Sequence, residues 1–320
     1  MGYPADFIRV VEDIKSMRIR GAARIAREAV SALRIASEGF SGGVEEYIEY
    51  IKGAARMLVN TRPTAVSLPN GIRYVLNKLL SDYRSGLDSV EQLKDRLDKY
   101  VDEFIRISVE AAEKIAVYGA RRIEDGDVLL THCNSSVAIG VIKRAFDDGK
   151  SIKVFVTETR PRYQGRLTAE ALSSHGIETT LIVDSAARYY MNEIDKVVVG
   201  ADAIAANGAV VNKIGTSQIA LAAHEARTSF MVAAETYKFS PDTLFGRLIK
   251  IEEREVEEVV PREWLEKNPG VRVRNPAFDV TPPEYIDLIV TELGVVSPSM
   301  FPLLIMERYG LVYSELEPWE

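Results

Sequence analysis

The stretch DVLLTHCNSSVAIGVIKRAFDDGKSIKVFVTE, residues 127–158, decides the fold. It begins and ends with short runs rich in β-branched and other apolar residues, and the segment between them, through Phe146, has helical spacing. The same alternation continues in the strand-like runs TTLIVD (179–184), KVVVGAD (196–202) and SFMVAAE (229–235), which helical segments separate. Strands that alternate with helices predict an α/β fold, here a Rossmann-like domain with a mainly parallel sheet.

The first part of the chain has a different pattern. Apolar residues recur there at three- and four-residue spacing amid Glu, Lys and Arg, as in residues 44–58 and 93–115. This spacing is typical of amphipathic helices. We therefore predict an N-terminal helical bundle domain over residues 1–122, followed by the Rossmann-like domain over residues 123–320.

The composition restricts the classes of function. The chain of 320 residues has a formal net charge of -7 and no run rich in Lys or Arg, so we expect no nucleic-acid partner. The N-terminus lacks the apolar core of a signal peptide, and no apolar stretch is long enough to span a bilayer. We therefore expect a cytoplasmic protein with no membrane partner. A small molecule is the expected ligand.

Sequence signatures of common cofactors are missing as well. A single cysteine and three scattered histidines argue against a disulfide and against a metal site. The chain has neither GxGxxG nor P-loop spacing, so nothing predicts a dinucleotide or nucleoside triphosphate site of those types. We expect no cofactor.

Polar residues follow each predicted strand. The carboxyl ends of parallel strands share one edge of the sheet, which is where such sheets bind ligands. A base, an acid and cations at one edge suit proton transfer on an anionic substrate. The polar clusters are residues 132–136, 157–161, 184–185, 200–202 and 235–238.

Cys133 is the candidate base. It precedes a helix that Ser135 or Ser136 can cap, and the partial positive charge of a helix N-terminus lowers the pKa of a nearby thiol. The free amides of the same turn can hold a phosphate. A buried, inert cysteine is the alternative interpretation. His132 either tunes the thiol or fills space at the end of the strand.

Asp202 is the candidate acid. It follows an apolar strand, and burial there would raise the pKa of its carboxyl group enough for it to donate a proton near neutral pH. The alternative is an aspartate that caps a helix or forms a turn. Downstream, residues 206–208 (ANG) predict a tight hairpin turn that returns the chain to Asn212 and Lys213. The hairpin would bring Lys213 towards Asp202.

Three cations are candidate phosphate contacts. Arg20 and Arg62 lie at interruptions between helical runs, and Lys238 follows a predicted strand. Guanidinium groups bind phosphate through two parallel hydrogen bonds, and lysine supplies a point charge. Each cation also fits a solvated position on the surface. His224 lies inside a helical run, and we interpret it as structural.

Six ordered motifs carry a resemblance to a known family. The chain resembles the family that joins ribose 1,5-bisphosphate isomerase, S-methyl-5-thioribose-1-phosphate isomerase and the alpha, beta and delta subunits of eukaryotic translation initiation factor 2B. The likeness runs through nearly the whole chain. The motifs are RGAARIA (20–26), TRPTAV (61–66), THCNSS (131–136), TETRPRYQGRLTA (157–169), VGADAIAANGAVVNKIGT (199–216) and AAETYKFSP (233–241).

The resemblance implies an isomerase that converts ribose 1,5-bisphosphate into ribulose 1,5-bisphosphate at a site between the two domains. It implies that Cys133 removes the C2 proton and that Asp202 donates a proton. It also implies that the reaction needs no redox cofactor or metal, and that the protein is a homo-oligomer, either a dimer or an assembly of dimers. The implied substrate-binding residues are Arg20, Gly21, Ala22, Ala23, Arg62, Ser135, Ser136, Val137, Asn212, Lys213 and Lys238.

Two other functions within that family stay open. A regulatory subunit need not keep Cys133 and Asp202 together at their motif positions, whereas this chain has both. The S-methyl-5-thioribose-1-phosphate isomerases have a cysteine motif closer to CNTG, where this chain has CNSS at 133–136. Hydroxyl groups suit a second phosphate better than an apolar methylthio group. The substituent at C5 of the substrate is therefore the open point of the prediction.

Overall fold

The structure, a computed structural model, describes residues 2–62, 66–309 and 317–320. Among the described residues, five helices come first, and their apolar faces enclose one core that contains Phe7, Leu33 and Tyr47. These helices agree with the helical spacing of apolar residues in the sequence. Residues 63–65, which belong to the TRPTAV motif, lie outside the described part. The five helices are α1, Ala5–Lys15; α2, Ala22–Glu38; α3, Val44–Val59; α4, Ser67–Arg84; and α5, Val90–Ala120.

The described part of the rest of the chain forms ten strands in two sheets. Seven strands make the larger sheet, and three make a small antiparallel sheet that begins with the predicted hairpin. The strands are β1, Val128–Thr131; β2, Lys153–Thr157; β3, Glu178–Ile182; β4, Lys196–Val199; β5, Ala203–Ile204; β6, Val210–Lys213; β7, Ser229–Ala233; β8, Phe278–Thr281; β9, Leu288–Thr291; and β10, Gly294–Val296.

The large sheet has the order β10-β9-β7-β4-β1-β2-β3. Its neighbouring strands run parallel except at one edge, where β10 is antiparallel to β9. The small sheet has the order β5-β6-β8. The mainly parallel sheet predicted from the alternation of strands and helices is confirmed, and the carboxyl ends of β1, β2, β4 and β7 meet at one edge.

Helices cover both faces of the large sheet. Side chains of a strand alternate between faces, so Val197 and Val199 pack in one core while Val198 packs in the other. Burial on both faces is typical of parallel sheets and explains their continuous apolar runs. The helices of this part are α6, Ser136–Asp147; α7, Gln164–Ser173; α8, Ala187–Tyr190; α9, Thr216–Ala226; α10, Arg262–Lys267; and α11, Phe301–Tyr309.

Helix α5 joins the two halves of the molecule. Its 31 residues contribute Leu93 and Leu97 to the core of the helical bundle and Ile115 and Ala120 to one core of the sheet. One continuous helix thus holds the N-terminal helices against the sheet. The division into domains at residues 122 and 123 stays a prediction.

Candidate active site

A cavity of about 210 Å³ lies between the helical bundle and the carboxyl edge of the sheet. The bundle contributes the first turn of α2, which begins at Ala22 without a side-chain cap, so its free amides are available to an anion. The sheet contributes the loops that follow β1, β4 and β7. The predicted residues that line this cavity are Arg20, Gly21, Ala22, Ala23, Arg62, Cys133, Ser135, Ser136, Asp202, Asn212, Lys213 and Lys238.

Val137 is placed differently from the other predicted residues. It is 2% exposed, and its side chain packs in the core between α6 and the sheet. Ser135 is the N-cap of α6 and Ser136 its first residue, whereas the next side chain, that of Val137, faces the sheet. The structure therefore brings Ser135 and Ser136 to the cavity but not the Val137 side chain.

The loop after β1 holds Cys133 in an unusual backbone conformation. Its φ is 68°, in the left-handed region that non-glycine residues rarely adopt. Two hydrogen bonds fix it there: the Cys133 amide donates to Thr159 Oγ1 (2.9 Å), and Thr168 Oγ1 donates to the Cys133 carbonyl oxygen (2.7 Å). Thr159 lies in the loop between β2 and α7, and Thr168 lies within α7, so this loop and α7 set the position of Cys133.

The electrostatic environment of Cys133 corrects one sequence-based expectation. Burial raises the pKa of the Cys133 thiol to about 11, although Lys213 and the Asn134 amide both act to lower it. Ser135 does cap α6, since its Oγ accepts a hydrogen bond from the Ala138 amide (3.4 Å). The prediction of a lowered pKa was wrong because loss of water around the thiol outweighs the helix N-terminus. The resting cysteine is a thiol at neutral pH.

His132 positions the loop through hydrogen bonds at both of its ring nitrogens. It is 1% exposed, and burial lowers its pKa, so the ring is neutral. Its Nε2 lies 2.9 Å from the Ile214 carbonyl oxygen and must donate to it, which leaves Nδ1 to accept from Thr157 Oγ1 at 2.6 Å. The ring thus ties the end of β1 to β2 and to the turn before α9. His224 lies outside the cavity and contacts the Tyr285 ring.

Asp202 lies at the start of the hairpin formed by β5 and β6. Its amide donates to the Val211 carbonyl oxygen (2.8 Å), and the return strand carries Lys213 to the same cavity, as the ANG turn predicted. The carboxyl group is half-buried at the cavity wall, and burial raises its pKa. Lys238 and Lys213 oppose this shift, with Lys238 the stronger of the two. The Asp202 pKa is thus raised, as expected for a proton donor.

The predicted cations have three different environments. Lys238 Nζ forms a buried ion pair with Glu235 Oε2 at 2.8 Å. Arg62 is 7% exposed, and its Nη2 lies 3.2 Å from Glu252 Oε2. Arg20 is exposed at the rim, and its Nε donates to the Met17 carbonyl oxygen (2.7 Å). Arg62 and Lys238 are therefore interior charges. Of the three predicted cations, only Arg20 has the solvated surface position that was the alternative interpretation.

Comparison with known proteins places these features in a family. A family model described as "Initiation factor 2 subunit family" matches residues 18–298. The chain belongs to the Initiation factor 2 subunit family. Within it, the chain is 50% identical to a protein named ribose 1,5-bisphosphate isomerase from Thermococcus kodakarensis, over all of both chains. A protein of the same name from Archaeoglobus fulgidus is 54% identical, over 98% of this chain and 96% of the relative.

More distant members of the Initiation factor 2 subunit family have other names. A methylthioribose-1-phosphate isomerase from Acetivibrio thermocellus is 38% identical, over 92% of this chain and 89% of the relative. A solved structure described as translation initiation factor eIF-2B from Pyrococcus horikoshii OT3 has 34% identity and a TM-score of 0.78, and the match covers 92% of this chain and 98% of that one. Helices followed by a mainly parallel sheet are thus the fold of the family.

Sequence reasoning missed several residues that line the cavity of this family member. Gln164, the first residue of α7, has a buried Oε1 with no hydrogen-bond partner in the described part of the chain. Its position inside the TETRPRYQGRLTA motif was the available signal. Arg254 lies in the charged run KIEEREVEE, which looks like a solvated surface segment. The missed residues are Met17, Ile25, Gln164, Leu167, Arg254 and Phe278.

Within residues 2–62, 66–309 and 317–320, this family member has neither a metal-binding cluster nor a membrane-spanning helix. Groups of three or more His, Cys, Asp or Glu side chains that could hold a metal ion do not occur there. Over the same ranges, the helices include none that is long and apolar enough to cross a membrane.

Proposed function

We propose that this chain is a ribose 1,5-bisphosphate isomerase, which converts α-D-ribose 1,5-bisphosphate into D-ribulose 1,5-bisphosphate. The composition of the cavity supports this proposal independently of the names of the relatives. A thiol, a carboxyl group with a raised pKa, and five cations line one cavity in the described part of the chain. The cations suit a substrate with two phosphates, and the thiol and carboxyl suit the two proton transfers.

The chemistry of the substrate explains why both an acid and a base are required. Phosphate on the anomeric oxygen prevents the ring from opening to a free aldehyde. Asp202 would donate its proton to the ring oxygen as the bond between that oxygen and C1 breaks, and Cys133 thiolate would remove the C2 proton. The resulting enol is then protonated at C1, while the C2 hydroxyl loses its proton to become the ketone. No net oxidation or reduction occurs.

The two proposed groups need opposite protonation states. Burial favours the neutral form of each, because it raises the pKa of both. Burial therefore supports Asp202 as an acid and opposes Cys133 as a base. Lys213 is the largest influence that lowers the Cys133 pKa. We assign Lys213 the role of stabilising the thiolate, in addition to its proposed contact with substrate.

The second candidate function is that of a methylthioribose-1-phosphate isomerase, which is the name of a more distant relative. That substrate has one phosphate and an apolar methylthio group at C5. The cavity instead gathers Arg20, Arg62, Lys213, Lys238 and Arg254, which is more positive charge than one phosphate requires. The Ser135 and Ser136 hydroxyl groups also favour a second phosphate. The bisphosphate is the substrate that the cavity suits better.

The deciding assay supplies both sugar phosphates side by side to the purified protein in the presence of a chelator. Efficient conversion of ribose 1,5-bisphosphate and slow conversion of S-methyl-5-thioribose 1-phosphate are expected. The opposite ranking would transfer the assignment to the second candidate. Turnover of neither compound would leave the regulatory function as the remaining hypothesis.

We also infer a homo-oligomer, either a dimer or an assembly of dimers, in the cytoplasm. The edge strand β3 and the segment after it expose Leu181, Val183 and Tyr189, with 47%, 53% and 78% of their surfaces accessible. Large exposed apolar side chains at a sheet edge are typical of a covered interface. Light scattering on the purified protein measures the mass; replacement of Leu181 and Val183 by Asp should lower it if this edge is the interface.

A further inference from the structure

Arg254 is a buried cation with unsatisfied hydrogen-bond donors. Its side chain is 7% exposed and lines the cavity. Both Nε and Nη1 are buried and have no hydrogen-bond partner in the described part of the chain. The ion pair from Nε to Glu252 Oε1 is long, at 3.6 Å. A buried donor without a partner is costly, so such a group indicates a ligand that completes it.

Arg62 and Arg254 converge on the same carboxylate. Arg62 Nη2 lies 3.2 Å from Glu252 Oε2, and Arg62 Nε is a further buried donor without a partner among the described residues. Two guanidinium groups and one carboxylate leave one net positive charge. Burial lowers the pKa of Arg254; Glu252 opposes this shift, and the neighbouring Arg62 charge adds to it.

The backbone fixes the position of this cluster. The Arg254 amide donates to the Asn275 carbonyl oxygen (2.9 Å), and the Ala277 amide donates to the Glu252 carbonyl oxygen (2.8 Å). This pairing holds residues 252–254 beside the segment that enters β8, whose Phe278 also lines the cavity. A guanidinium held by a paired backbone needs little rearrangement when it binds.

The group that satisfies these donors is an anion with several acceptor oxygens. We propose that Arg254 binds one phosphate of the sugar bisphosphate together with Arg62, and that Glu252 sets the spacing of the two guanidinium groups. This inference rests on the proposed function for the identity of the sugar. A phosphate dianion accepts several hydrogen bonds at once and offsets the repulsion between the two arginines.

The test compares Arg254→Gln with Arg272→Gln, which removes the same charge from an exposed position of a nearby segment. In Arg254→Gln, the KM for ribose 1,5-bisphosphate should rise at least about tenfold, because a charge-assisted hydrogen bond is lost. Arg254→Lys should fall between this variant and the wild type, since it keeps the charge and loses the planar donor geometry. Arg272→Gln should match the wild type.

A second measurement does not depend on turnover. Inorganic phosphate should raise the melting temperature of the wild type and of Arg272→Gln, and this shift should shrink in Arg254→Gln and partly return in Arg254→Lys. An unchanged KM together with an unchanged phosphate response would overturn the inference. If the wild type converts neither sugar phosphate but the phosphate response still requires Arg254, the proposed function fails while the phosphate subsite stands. If Arg254→Gln does not fold, a wild-type response in Arg254→Lys counts against the inference.

Discussion

At the scale of single residues, ionisation of Cys133 should govern the pH dependence of the reaction. Burial raises the pKa of the thiol to about 11, and the Lys213 ammonium is the main charge that opposes this shift. Lys213→Met removes that charge, so the thiol pKa should rise further. We expect the ascending limb of kcat/KM to move to higher pH, because this limb reports the base of the free enzyme. An ascending limb at the wild-type position would contradict the proposed role of Lys213 in stabilising the thiolate. Lys153→Met, which removes a lysine from an exposed position, serves as the control.

Asp202, the proposed acid, should respond to a different charge. Lys238 is the strongest influence that lowers the Asp202 pKa, and Glu235 partly neutralises Lys238 through their ion pair. Glu235→Gln removes the compensating charge, so the Asp202 pKa should fall and the descending limb of kcat/KM should move to lower pH. Arg62, Arg254 and Lys213 act on Asp202 in the same direction and are unchanged in this variant.

Tyr237→Phe provides the control for this shift. The Tyr237 hydroxyl donates to Glu235 Oε1 (3.1 Å) and lies 2.9 Å from Ser108 Oγ, but it carries no charge. Its removal leaves the Glu235–Lys238 pair in place, and the descending limb should stay within the error of the wild type. Equal shifts in Tyr237→Phe and Glu235→Gln would point to displacement of the loop rather than to charge.

At the scale of elements, the start of α6 depends on the absence of a side chain at Gly200. A Cβ atom there would lie 2.5 Å from Ser135 Cβ, well inside van der Waals contact. Gly200→Ala should displace the Ser135 cap and lower the free energy of unfolding by about 1–3 kcal/mol. The KM for substrate should rise in the same variant, because Ser135 and Ser136 line the cavity.

Gly140→Ala, which makes the same substitution inside α6, is the matched control. A Cβ atom at this position meets Ala116 Cβ at 3.7 Å, an ordinary contact. Since alanine favours a helix interior over glycine by about 1 kcal/mol, this variant should be as stable as the wild type or more so in chemical denaturation. Comparable losses in both variants would rule out the proposed role of Gly200.

The elements that could be predicted from the sequence are those that short stretches of the chain specify on their own. Strands β1, β2, β4 and β7 are apolar runs buried on both faces, and the ANG turn sets its own hairpin. Strands β8, β9 and β10 follow a segment with no clear periodicity and were not predicted. Arg254 was missed for the same reason, because pairing with Asn275, rather than local sequence, holds its backbone in place.

At the scale of the whole molecule, the candidate site is shared by two regions that are distant in sequence. Parallel-sheet geometry alone predicts that Cys133, Asp202 and Lys238 lie at one edge. It says nothing about Arg20 and Arg62, which belong to the helical bundle. Their positions at interruptions between helical runs made them candidate phosphate contacts, and only the resemblance placed them at the same site as the sheet residues. The direction of the Cys133 pKa shift could not be predicted from the sequence either, because the extent of burial is set only when the bundle covers the sheet.

The most direct test of the central claim follows ribose 1,5-bisphosphate by proton NMR in deuterated water with the wild type, Cys133→Ser and Asp202→Asn. The wild type should form ribulose 1,5-bisphosphate. Serine is scarcely ionised at neutral pH, and asparagine has no carboxyl proton to donate, so both variants should be slower by about 10²–10⁴-fold while they still bind substrate. Neither variant should exchange the C2 proton rapidly. Near-normal turnover by Cys133→Ser would contradict the thiolate-base mechanism even if the wild type proved to be the isomerase.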